Sequence, residues 1–136
     1  MKYWSCVVAA SLAFAAPFGA AAERDETKAT QYLYCGRVAA VNMNIATERG
    51  NQRVADGFRQ MRTHFLIAAT LKSDGEFVKK EIPKVLKKFD EQHLGPEGGA
   101  KLFRKETEEC SGIWSNEVRS LIGFDKKQDG SENRAQ

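Results

Sequence analysis

Two cysteines constrain this chain more than any other pair of residues. Cys35 and Cys110 stand near opposite ends of the segment that folds, and each falls in the apolar row of a helical pattern. From about Asp25 to Arg49, the rows Tyr32–Cys35–Ala39–Met43–Ala46 and Tyr34–Val38–Val41–Ile45 step by three or four residues. Together they give the first helix a broad apolar arc, which belongs at the centre of a bundle. Gly36, Ala39 and Ala46 are small enough to let a neighbouring backbone approach closely. The last helical pattern places Phe103, Thr107, Cys110, Trp114, Val118 and Leu121 on one face, with a weak point for bending at Ser111-Gly112. A bond between Cys35 and Cys110 therefore ties the first helix to the last. Closing so long a loop is worth roughly 4 kcal/mol through the entropy it removes from the unfolded chain.

The start of the chain says why that bond should form. Lys2 supplies a positive charge, and Trp4 to Phe18 is an apolar run too short to span a bilayer. Pro17 breaks that run, and Ala20-Ala21-Ala22 before Glu23 reads as a small-residue cleavage site. Residues 1–22 thus read as a secretory signal peptide, and its alanine-rich composition favours a bacterium. The expected location is a periplasm or the medium, where paired cysteines oxidise by default. Cys6 follows Tyr3-Trp4-Ser5, which is no lipidation pattern, and leaves with the leader. The remainder is one domain of ordinary size, over residues 23–124, followed by a polar tail over 125–136 that has no apolar content and is expected to be disordered.

Two further helices complete the expected fold. The second runs from about Gln52 to Lys72 with a Val54–Phe58–Met61–Phe65–Ala68 stripe, after Gly50 as a left-handed stop and Asn51 as N-cap. The third begins at Ser73-Asp74-Gly75-Glu76, where Ser73 and Glu76 have capping-box spacing, and is expected to bury Val78, Ile82, Val85 and Phe89. Pro83 should kink or split it near Glu81. Gly95-Pro96-Glu97-Gly98-Gly99 follows as an interhelical joint. The expected class is all-α: a small antiparallel four-helix bundle with one disulfide between its first and last helices.

Reactive groups are scarce. The chain has two histidines, His64 and His93, and no zinc-helix, haem-attachment, nucleophile-elbow or phosphate-loop motif. Ser111, Ser115 and Ser120 have no histidine within local reach. No enzyme is expected. A haem or metal held by Met43, Met61, His64 or His93 is the weaker reading of those residues, because the methionines fall inside apolar stripes and His93 suits a helix end. No cofactor is expected on balance. Glu106, Glu108 and Glu109 crowd round Cys110, with Lys101, Arg104 and Lys105 one turn away to neutralise them. The whole chain carries +3, and losing Lys2 with the leader leaves +2 with interspersed signs, which is no footprint for nucleic acid. No segment after Ala22 is long and apolar enough to span a membrane.

Lys80, Lys84, Lys87 and Lys88 line the third helix opposite its apolar row and form a candidate docking face for an acidic partner. An exported small stapled bundle resembles, in architecture alone, periplasmic immunity proteins and acid-stress chaperones. Architecture transfers fold better than function, so no residue role is carried over. The leading expectation is a non-enzymatic protein that binds another exported protein, immunity- or inhibitor-like. The alternatives are an acid-stress chaperone and a cofactor- or metal-binding bundle using His64 and His93.

Overall fold

Short polar side chains decide where three of the helices begin. Asp25 accepts a hydrogen bond from the Lys28 amide at 3.0 Å and starts α1 (Glu26–Glu48). Asn51 accepts from the Val54 amide at 3.2 Å and starts α2 (Gln52–Lys72). Asp74 accepts from the Phe77 amide at 2.8 Å and starts α3 (Gly75–His93). Each satisfies an amide that the first helical turn leaves without a partner. Then come α4 (Gly99–Ile113), a π-helical turn (Trp114–Val118) and a last short turn, α5 (Arg119–Leu121). The computed structural model describes residues 23–94 and 99–124. The expected leader, Gly95 to Gly98 of the glycine-rich joint, and the expected tail lie outside the described residues.

Among the described residues every regular element is a helix, and the four long helices pack with alternating direction. The Asp25 amide donates to the Lys72 carbonyl at 2.7 Å, so the start of α1 meets the end of α2. Asn42 with Thr107, Cys35 with Cys110, and Lys28 with Glu117 step in opposite directions along α1 and along α4 with its π-helical continuation. Thr30 with Glu81, and Tyr34 with Gln92, step the same way along α1 and α3. Helix α1 touches the other three, as its two apolar rows predict. The Cys35–Cys110 disulfide links the first long helix to the last, with Cα atoms 5.3 Å apart.

Tyr32, Val38, Phe65 and Val118 are the largest fully buried side chains, and the alanines Ala29, Ala39, Ala68 and Ala69 fill the space between them. A Cβ at Gly36 would stand 3.7 Å from that of Phe65, so α1 and α2 are in ordinary packing contact there. Gly50 takes φ +71°, the left-handed stop expected between α1 and α2.

Four details differ from the sequence reading. Asp74 rather than Ser73 caps α3, because Ser73 Oγ turns back to the Ala69 carbonyl at 2.7 Å. Pro83 does not split α3, which runs unbroken. Both Pro83 and Lys79 are exposed, so water can satisfy the carbonyl that loses its helical donor. Val54 and Ile82 are exposed rather than core, and Ala55 and His64 are buried instead, which rotates the buried face of α2 away from the expected stripe. The weak point at Ser111-Gly112 is followed by the π-helical turn, in which the Arg119 amide bonds to the Trp114 carbonyl five residues back. That wider turn brings Val118 into full burial and Trp114 against His64.

Candidate functional site

Where α1, α2 and α3 diverge, they leave a groove of about 440 Å³. Its floor is apolar: Leu33 and Ala40 come from α1, Leu66 from α2, and Ile82, Val85 and Leu86 from α3. Leu66 is 45 % exposed, and Ile82 and Leu86 are each 37 % exposed, so large apolar side chains meet solvent on two adjoining ridges, α2 and α3, of one concave surface. Helical spacing explains the display. On α3, Val78, Val85 and Phe89 point to the bundle axis, and Ile82 and Leu86 fall at the shoulder of that row.

Arginines border this apolar floor. Arg37 stands on α1, and Arg59 and Arg62 stand one turn apart on α2. Arg59 pairs with Asp56 at 2.7 Å within its own helix. The Arg37 guanidinium lies 5.3 Å over the Phe89 ring and 4.0 Å from Asp90. Arg62 is exposed and has no ion-pair partner among the described residues. The groove therefore offers an apolar floor with a positive rim, a combination that receives the apolar stripe and acidic flanks of a ligand.

The four lysines expected to form a docking face point in two directions. Lys84 pairs with Glu81 at 3.5 Å and Lys87 with Glu91 at 3.9 Å, both within α3, while Lys80 is exposed. Lys88 turns towards α1, with its ammonium 5.7 Å over the Tyr34 ring. Lys80, Lys84 and Lys87 lie on the side of α3 away from the groove.

The two histidines stand at different places. His64 is buried on α2, and its Nδ1 accepts the Trp114 indole N–H at 3.0 Å. Burial holds its pKa below the ordinary imidazole value, and the positive Arg119 adds to the effect. His93, at the end of α3, stacks on Phe89 at 4.1 Å and donates through Nδ1 to the Phe89 carbonyl at 2.7 Å. Its Nε2 lies 2.8 Å from Glu106 Oε2, in close contact but without hydrogen-bond alignment. His64 meets the π-helical turn at Trp114, whereas His93 meets α4 at Phe103, eleven residues earlier and roughly 16 Å along the axis. The two imidazoles therefore cannot share one metal or haem. Met61 is buried in the core, and no group of three or more His, Cys, Asp or Glu side chains among the described residues could hold a metal ion.

Glu106 does not follow the expected pattern of neutralisation by neighbouring lysines. Lys105 pairs with Glu109 at 3.8 Å, while Glu106 turns inward, 13 % exposed, and accepts the Tyr34 hydroxyl at 2.7 Å. The Tyr34 oxygen also lies 2.7 Å from the Gln92 amide. One hydroxyl proton cannot serve both, and turning the Gln92 amide so that its nitrogen donates to the tyrosine satisfies all three groups. Burial, with that bond to Glu106, pushes the Tyr34 pKa above its ordinary value. Together Tyr34, Gln92, His93 and Glu106 form a polar clamp across α1, α3 and α4. Tyr32, on the same helix, is pushed up to about 12, by burial first and then by Glu117.

The groove residues Arg37, Arg59, Arg62, Leu66 and Leu86 were not singled out by the sequence. A usable signal was there: Leu66, Ile67 and Leu71 lie outside the expected α2 stripe, and Arg62 and Arg59 precede Leu66 by one and two turns. Compared with known proteins, the chain matches no family model, no curated relative and no solved structure.

Proposed function

We propose that this chain is a non-enzymatic binding protein whose α1–α2–α3 groove receives a segment of another exported protein. The observation that carries the reading is the groove itself, with Leu66, Ile82 and Leu86 exposed on a concave apolar floor beneath Arg37, Arg59 and Arg62. Leaving so much apolar surface in water has a cost that a docked partner removes, at roughly 25 cal/mol per Å² covered. The bundle supports this use by being rigid: the disulfide and the polar clamp hold α1, α3 and α4 in fixed relation. The leader-like first 22 residues and the expected oxidising compartment support an exported partner. The groove is favoured over the lysine face as the docking surface because it joins exposed apolar side chains to its cations, whereas Lys80, Lys84 and Lys87 stand opposite the apolar row of α3.

The test uses the protein without residues 1–22 as bait in periplasmic and culture fractions, beside a Leu66→Glu/Leu86→Glu variant. Both positions are exposed, so the variant should fold. A protein retained by the wild type and lost with the variant supports the reading. Nothing retained, or equal retention by both baits, overturns it.

The acid-stress chaperone has one observation in its favour, the neutral His64 that the Trp114 contact requires. Dye binding that rises on acidification, together with suppression of a client's aggregation, would support it. A dye-silent protein between neutral and acid pH would remove it.

A further inference from the structure

Resting on the docking reading above, we infer that the groove's occupant is an acidic amphipathic helix of a different protein. Length, charge and self-exclusion each point that way. The floor runs from Arg59 to Leu66 on α2 and from Leu33 to Ala40 on α1, each roughly 10 Å. Two helical turns of an occupant have that same rise, so its positions i, i+3 or i+4, and i+7 would set apolar side chains along the floor. An extended strand would find no free sheet edge, since the walls are helices with their backbone bonds already made.

Charge sets the flanks. Arg37, Arg59 and Arg62 border the floor, and the acids beside them are Asp56, held by Arg59, and Asp90, at 4.0 Å from Arg37. Acidic residues flanking the occupant's apolar stripe would meet guanidinium groups, which grip carboxylates through paired N–H donors. Basic flanks would meet like charge across the rim.

A second copy of this chain fits poorly. Groove against groove would bring the three arginines of each copy together. None of the four long helices holds more acidic than basic side chains, so no helix of one copy supplies the complement for the groove of another.

The defined probe is a pair of labelled amphipathic peptides with the same leucine stripe, one carrying glutamate and the other lysine at the remaining positions. Their binding to the folded, disulfide-bonded protein is read by fluorescence anisotropy. The acidic peptide should bind at least about tenfold tighter than the basic one, and added salt should narrow that gap. Arg59→Glu/Arg62→Glu should reverse the preference. Equal binding, binding of neither peptide, or a preference that survives the charge reversal overturns the inference. So does uptake onto anionic phosphatidylglycerol vesicles in place of the peptide, or dimerisation abolished by Leu66→Glu. A photo-crosslinker at position 66 in the producing cell separates this inference from the docking reading. An adduct to an acidic amphipathic helix supports both. An adduct to a basic or uncharged segment of another protein overturns this inference and leaves docking standing. No protein adduct overturns both.

Discussion

Reducing the Cys35–Cys110 bond is predicted to loosen the last helix before any other part of the fold. Cys110 is the only fully buried residue within α4, and Val118 in the following turn is the next. Helix α4 is otherwise held by half-buried Phe103 and Ile113 and by the polar contacts of Asn42 with Thr107 and Tyr34 with Glu106, and the π-helical turn after it by Lys28 with Glu117. The bond spans 75 residues, and closing a loop of that length removes about 15 cal/mol/K of unfolded-state entropy, about 4.5 kcal/mol at 25 °C. A domain of this size is stable by about 5–15 kcal/mol, so reduction should remove a third or more of the total. The melting temperature should fall by about 15–30 °C. Urea unfolding followed by circular dichroism, with and without a reductant, gives the first number. Amide exchange on the reduced protein gives the second, with α4 exchanging well before α1 and α2. A stability loss under about 1 kcal/mol, or α4 as protected as α1 after reduction, would refute the reasoning.

Three other outcomes follow from the same packing. Phe65 is fully buried between α1 and α2, so Phe65→Ala should cost about 3–5 kcal/mol in urea unfolding, and a cost under about 1 kcal/mol would contradict its place in the core. His64 has a lowered pKa, so the unfolded chain binds its proton first; the stability this site contributes is present above the ordinary value of 6.5 and is lost as pH falls below it. Without residues 1–22, Trp114 is the only tryptophan, and its fluorescence should change with that protonation in the wild type but not in His64→Gln. Tyr32 and Tyr34 are then the only tyrosines, and both are raised, so stability should hold below the ordinary value of 10.0 and decline as pH climbs towards 12. Absorbance at the phenolate band should accordingly show no ordinary tyrosine titration, and a normal one would contradict both assignments.

Much of this fold was legible because α1 and α4 announce themselves through cysteines in apolar rows. Once Cys35 is opposite Cys110 in antiparallel helices, two turns along each brings Lys28 opposite Glu117, and that ion pair forms at 2.8 Å. The caps at Asp25 and Asn51 were equally local, because a capping side chain needs only its own next three residues. What escaped was set by rotation about the helix axis. Val54 and Ile82 satisfy a spacing of three or four as well as Ala55 and Val85 do, and only the neighbouring helices decide which of them turns inward. The groove lies in that undecided margin. Leu66 and Leu86 became a surface feature when α1 took the central position and left α2 and α3 meeting along one shoulder only. Glu106 escaped for a related reason: its partners Tyr34 and His93 come from two other helices, and nearby lysines masked it in one dimension.

The claim on which the functional account rests is that binding is made in the groove and not on the lysine face. The most direct measurement is the dissociation constant of the captured partner for three proteins: wild type, Leu66→Glu/Leu86→Glu, and Lys80→Glu/Lys84→Glu/Lys87→Glu. Melting temperatures of all three would show that each is folded. Binding should weaken at least about thirtyfold in the groove variant, the loss expected when a binding hot spot is destroyed, and less than about fivefold in the lysine variant. The reverse order, or an unchanged constant for the groove variant, would contradict binding in the groove.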